Sequence, residues 1–164
     1  MKQFIRLVAV LVILCMCTNL GCAAWAASSI DDTQTLVSET VVYYEDGSSL
    51  MISIYEEVVQ RRSILYNKIG EKIYKYRDAS SNILWEFAVI GEFRIIEGAS
   101  VTCISASCDS DIYNDYWQCE RQWAETSGSW AIAHGEFTKS LLGIVVSREN
   151  AEVSLTCDVY GNLS

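Results

Sequence analysis

The chain has 164 residues, 51% of them hydrophobic, with 12 Lys and Arg against 21 Asp and Glu, one His and no Pro. A net charge of −9 repels phosphate backbones and anionic lipid surfaces, so nucleic acid is not an expected partner. The length suits one domain with a real core, and the lack of proline excludes Pro-rich wall-spanning segments.

The N-terminus carries the layout of an export signal. Lys2 and Arg6 form a basic start, Leu7 to Cys17 is apolar and uncharged, and Ala24-Trp25-Ala26 places small residues before a cut at Ala27. The apolar run falls short of the roughly 20 residues that a spanning helix needs. Residues 1–26 are therefore expected to leave as a signal peptide, with 27–35 as a loose N-terminus and 36–164 as the domain. The alternative is cleavage before Cys22 and lipid attachment there. Gly21 fits that reading, and Asn19, where an aliphatic residue is usual, does not. The expected location is secreted or extracellular, or lipid-anchored through Cys22. Without Lys2 and Arg6, ten cations face 21 carboxylates, a net charge of −11.

The mature chain reads as strands. Thr40 to Tyr44 is β-branched and aromatic, Glu45-Asp46-Gly47-Ser48 is a turn, and Leu50 to Tyr55 returns, a hairpin pattern. Residues 56–69 fit either a short helix or irregular strands; the strands on both sides favour strand. Lys72 to Arg77 alternates, and 78–82 is a loop. Ile83 to Ile90 is the clearest strand, with Trp85, Phe87 and Val89 on one face. Gly91 allows a kink or bulge before Phe93 and Ile95. Further strands are expected over 100–105, 117–123, 130–134, 141–147 and 153–157. In the 117–123 strand, Trp117, Cys119, Arg121 and Trp123 are expected to share one face. Ser127-Gly128-Ser129 and Glu149-Asn150 are expected turns. About nine short strands at this spacing predict an all-β fold, a single antiparallel β-sandwich-like domain.

Cysteines support the same picture. Cys15, Cys17 and Cys22 leave with the signal; Cys103, Cys108, Cys119 and Cys157 remain, an even number for an exported domain. Cys103 and Cys108 in one extended strand would be too far apart to join without a tight turn between them. The favoured pairing is Cys103–Cys157 with Cys108–Cys119, contributing about 4 and about 3 kcal/mol by loop entropy. Zinc is the weaker alternative, because no CxxC pair exists and the one His is remote in sequence.

From Trp85 onward the chain resembles a known group. Leu84-Trp85-Glu86-Phe87 with Gly91-Glu92-Phe93 is followed by Ala99 to Cys103, Ser127-Gly128-Ser129 and Leu142-Gly143-Ile144. Leu155-Thr156-Cys157 and Gly161-Asn162-Leu163-Ser164 complete the series. As an ordered set, these resemble small exported proteins of uncharacterised function from Gram-positive, Firmicutes-type bacteria. The resemblance spans about 80 residues, to Ser164. It implies a secreted β-sandwich-like domain with cysteines at Cys103 and Cys157, and it implies no reaction and no ligand. Cys108 and Cys119 are less typical of it.

Motifs for chemistry are sparse, and no catalytic residue or cofactor is assigned. His134 has no GxSxG nucleophile elbow to serve, and His134-Gly135-Glu136 lacks metalloprotease spacing. Asp109, Asp111 and Asp115 form a weak calcium candidate without the glycine and distal Glu of an EF-hand loop. The segment enclosed by Cys108 and Cys119 is the candidate binding loop: Tyr113, Asn114, Asp115, Tyr116 and Trp117. Its rings offer flat faces for a sugar or a protein, and closure would lower the ordering cost of binding. The opposing expectation is that Trp117 packs inside and the tyrosines cover a sheet edge.

Three functions follow as expectations. The first is a non-enzymatic secreted domain acting by protein–protein or cell-envelope interaction, with an unknown protein or glycan as partner. The second is carbohydrate binding through exposed Tyr and Trp. The third is a small extracellular hydrolase.

Overall fold

The computed structural model describes residues 34–57 and 63–164; the signal segment, Cys22 and 58–62 lie outside the described residues. Eight strands follow in order: β1 (Gln34–Tyr43), β2 (Ser49–Glu57), β3 (Leu65–Arg77), β4 (Ile83–Ile96), β5 (Ser100–Ile112), β6 (Trp117–Ser127), β7 (Trp130–Leu141) and β8 (Ile144–Thr156). Strands β1 to β5 form one antiparallel sheet and β6 to β8 a second, each a meander in chain order. The domain is all-β and sandwich-like, as the strand pattern predicts. Of the expected loose segment 27–35, Gln34 and Thr35 are described and begin β1.

The strands are fewer and longer than local pattern suggests. The ambiguous 56–69 stretch is strand at both described ends, and its second half joins 72–77 as β3. The expected turn at Glu149-Asn150 does not form; both residues lie within β8, and the chain reverses at Leu142-Gly143. Those two residues have φ of 51° and 78°, the left-handed pair that a tight hairpin requires.

Gly91 does not kink β4. Trp85, Phe87, Val89, Phe93 and Ile95 all point inward along one unbroken 14-residue strand. A Cβ at Gly91 would stand 2.8 Å from the Phe93 ring and 2.9 Å from Ala131 Cβ, so the glycine serves close packing between sheets. The bulge lies across the ladder in β5, where Glu92 pairs Ser105 and Phe93 pairs Cys103, leaving Ile104 extra.

The core joins Phe87, Val89, Phe93 and Ile95 of the first sheet to Ala131, Ala133, Phe137, Val153 and Leu155 of the second. Each large side chain so buried contributes about 1.5–3 kcal/mol relative to exposure. The second sheet packs over β3, β4 and β5; among the described residues, β1 and β2 stand outside that overlap.

Two loops share one device. Asp78 Oδ1 accepts the N–H groups of Ser80 and Asn82, and Asp158 Oδ1 accepts those of Tyr160 and Asn162, at 2.8–2.9 Å. In each, the Asn amide donates to the other carboxylate oxygen. Lys68, on the inward side of β3, donates to the Gly161 carbonyl at 2.6 Å and pairs with Glu56, anchoring the second of these loops.

Candidate functional site

Because β1 and β2 extend past the second sheet, the edge of β8 forms a wall above their inner face. The resulting cleft has a volume of about 430 Å³. Its floor is aromatic: Tyr44, Tyr74, Tyr76 and Trp85, with Leu50 beside them. Tyr74 and Tyr76 share the inward face of β3 by strand alternation, and Tyr76 pairs with Trp85 across the β3–β4 ladder. The Tyr76 and Trp85 rings stack with centroids 5.3 Å apart, and Tyr44 meets Tyr76 edge-on at 6.4 Å.

The rim is polar and acidic. Asp46 and Ser48 come from the β1–β2 turn, and Glu149, Asn150 and Glu152 from β8. Asp46 Oδ1 accepts from the Ser48 N–H at 2.9 Å and from its hydroxyl at 2.6 Å. These bonds hold the Asp46 carboxyl below its ordinary range. Burial pushes the Tyr74 phenol up, and Tyr44 and Glu152 add to that shift. Trp85 is only 4% exposed, and its indole Nε1 has no hydrogen-bond partner. That nitrogen is sealed from solvent, as is the Trp117 indole nitrogen, and a buried donor without a partner costs about 1–3 kcal/mol.

A second cluster lies on the outer face of the three-stranded sheet. Trp123 stacks on His134 at 4.9 Å, and the Arg121 guanidinium lies 4.6 Å from the Trp123 ring centroid. His134 Nε2 faces Glu125 at 3.5 Å and Nδ1 faces Glu152 at 3.6 Å. The expectation that Trp117, Cys119, Arg121 and Trp123 share a face is corrected here. A bulge between Cys119 and Arg121 turns the last two outward, while Trp117 and Cys119 pack against the core.

The candidate loop is split in the same way. Trp117 is buried at the start of β6, in edge contact with Trp85 and Tyr76. Tyr113 and Tyr116 are 56% and 55% exposed. Asn114 shapes the turn: its Oδ1 accepts from Tyr116 N and its carbonyl from Trp117 N. The exposed Leu141-Leu142 and Ile144-Val145-Val146 form the neighbouring hairpin tip, tied to the loop by Ser140 N donating to the Tyr116 carbonyl at 2.7 Å.

Asp109 and Asp111 lie within β5, not in a loop, and line a shallow groove with Glu71 and Glu86; Asp115 is in the 113–116 turn. Among the described residues, no three His, Cys, Asp or Glu are placed to hold a metal ion.

All four described cysteines are thiols in this structure. Burial raises the Cys108 thiol, with the neighbouring Cys119 as the next cause. Cys103 and Cys157 are both buried, and their N–H groups donate to Gly128 and Ser129, consecutive residues of the β6–β7 turn. Each expected pair is thus brought to one locality.

No family model matches the chain, and no curated protein or solved structure matches it. Sequence reasoning missed the cleft because its lining comes from four distant segments. Its one local signal is the Tyr74-Lys75-Tyr76 alternation facing Trp85.

Proposed function

We propose that this protein is an exported, non-enzymatic binding domain whose ligand is a carbohydrate held in the cleft, at the cell envelope or outside the cell. The observation that carries the reading is the aromatic floor of the cleft, where Tyr44, Tyr74 and Tyr76 lie beside the buried Trp85. Sugar rings stack on exposed Tyr faces, and the phenol hydroxyls exchange hydrogen bonds with sugar hydroxyls. The cleft volume lies within the range typical of ligand sites.

The non-enzymatic part rests on His134. Both of its ring nitrogens face carboxylates and its ring is covered by Trp123, an arrangement unsuited to activating a serine. Export rests on Lys2 to Ala26, with Cys22 as the alternative lipid site, and on the resemblance to exported Gram-positive proteins. Export to an oxidising compartment would pair Cys103 with Cys157 and Cys108 with Cys119. Each pair of thiols would lose two protons and two electrons to a disulfide-exchange oxidant.

The deciding experiment is a glycan array with the exported protein, wild type against Tyr44→Ala. Sugar binding lost in the variant supports the reading; no sugar bound by either overturns it. A second reading, protein–protein contact, is favoured by Leu142, which is fully exposed at the hairpin tip beside Tyr116. A pull-down abolished by Leu142→Ser and unaffected by Tyr44→Ala would select it.

A further inference from the structure

We infer that this protein pairs with a second copy of itself through β1, forming a two-fold dimer in which two five-stranded sheets become one sheet of ten. The pairing goes beyond the ligand reading and does not depend on what the cleft binds.

The open edge supplies the first argument. β1 ends its sheet and pairs with β2; among the described residues, no strand lies along its other side. Alternate N–H and C=O groups of β1 therefore point away from the sheet, a template that fits an extended strand. Nine of its ten residues are exposed, Val41, Val42 and Tyr43 among them. Edges that stay single are guarded by charge or proline, and β1 carries one charge, Glu39. β5 and β6 lie against each other where the sheets meet. The remaining edge, β8, is guarded by Arg148, Glu149 and Glu152.

Self-complementarity supplies the second. A bulge at Val37 interrupts β1 on one side, and the β1–β2 turn begins at Tyr44, so the regular stretch is 38–43. Antiparallel pairing about a two-fold axis places one residue opposite its own copy. With Val41 on the axis, Thr40 faces Val42 of the second copy and Glu39 faces its Tyr43. Faces are kept: Glu39, Val41 and Tyr43 lie on the outer face of the sheet, and Thr40 and Val42 on the inner face with Leu50. This register opposes β-branched and aromatic residues and keeps the two carboxylates apart. With Glu39 on the axis, the carboxylates would face each other, so that register is disfavoured.

Room supplies the third. The three-stranded sheet packs over β3, β4 and β5 and does not reach β1 or β2. In the dimer, four strands outside that cover separate the two copies of the second sheet. β3 then stands about 24 Å from its copy, five strand spacings, and the covering sheets do not collide. The axis runs perpendicular to the sheet, so both inner faces, and with them both clefts, open on the same side. A polymeric ligand would meet two sites at once.

The test is sedimentation equilibrium of the exported protein across the micromolar range. Wild type should dimerise with a Kd of about 1–100 µM, as a small interface does, and should stop at two, because each copy offers one such edge. Added salt should tighten the dimer, because two acidic chains repel each other. Val41→Lys sets two ammonium groups on the axis and should weaken pairing about tenfold or more, although it makes each chain less acidic. Leu142→Lys makes the same change of charge at the exposed hairpin tip and should leave the dimer intact. Val41→Cys should cross-link to its own copy under mild oxidation, since directly opposed Cα atoms lie about 4.5–5.5 Å apart. Met51→Cys, one strand further in on the same face, should not. The cross-link decides even where Val41→Lys does not fold. A monomer at every concentration overturns the inference. So does a dimer that Leu142→Lys dissolves and Val41→Lys leaves intact, which would place the contact at the hairpin tip. Open-ended polymers, or equal cross-linking of Met51→Cys and Val41→Cys, overturn it as well.

Discussion

The indole of Trp85 lies flat on the ring of Phe137, with centroids 4.3 Å apart and planes 8° from parallel. One ring belongs to β4 and the other to β7, so this contact joins the two sheets. Phe137 also meets Phe87 edge-on at 5.5 Å. Phe137→Ala should therefore destabilise the domain by about 3–5 kcal/mol, read as a fall in the urea midpoint. A loss below about 1 kcal/mol would show that the stack does not hold the sheets together.

Gly135 sits between the same rings. A Cβ there would come within 2.7 Å of Phe137 and 3.1 Å of Phe87. Gly135→Ala is expected to cost about 1–3 kcal/mol through overpacking, despite adding a single methyl. Thermal unfolding of the variant checks this; an unchanged or raised Tm would contradict it.

Tyr113 and Tyr116 are more than half exposed on the β5–β6 connection. Tyr113→Ala with Tyr116→Ala should leave stability within about 0.5 kcal/mol per site. A collapse in melting temperature would mean that the tyrosines pack the domain and do not form a free surface.

Acid stability should depend on the two Asp-centred loops and the β1–β2 turn. Hydrogen bonds to Asp46, Asp78 and Asp158 hold all three carboxyls below the ordinary range. A depressed folded-state value stabilises above the unfolded pKa, about 3.9, and that contribution disappears as pH falls through the folded values. Tm measured from neutral pH downward should show Asp78→Asn with Asp158→Asn below wild type at pH 7, with the two curves converging in acid. A gap independent of pH would remove the charge from the explanation.

Cysteine state is read by mass. The exported protein should match Ala27–Ser164 with four hydrogens missing, and reduction should lower its Tm. Cys108→Ser with Cys119→Ser should restore two of those hydrogens and cost about 3 kcal/mol. A full-hydrogen mass would dismiss both disulfides, and an acylated Cys22 at the N-terminus would replace free secretion with a lipid anchor.

Period-two alternation was sufficient to identify β4 and the first hairpin, because each strand's own side chains report which face is buried. It failed wherever one extra residue changed the parity. Arg121 and Trp123 follow Cys119 at even spacing, yet face outward, because a bulge is decided by the partner strand. It also failed at Leu142-Gly143, where leucine occupies a left-handed position that Asn or Asp more commonly fills, so the turn carried no clear local signature.

By itself the sequence determined the all-β class, the shared face of Trp85, Phe87 and Val89, the Asp-Gly turn after β1, and the acidity that weighs against nucleic acid. These are local or summed properties, and neither kind needs a partner segment. Only the tertiary structure decided that five strands face three, that β1 and β2 are left outside the cover of the second sheet, and that Tyr44, Tyr74, Tyr76 and Trp85 meet three carboxylates beside the edge of β8. That site depends on strand order and on how far one sheet covers the other, which the long-range packing of residues such as Phe137 and Gly135 sets.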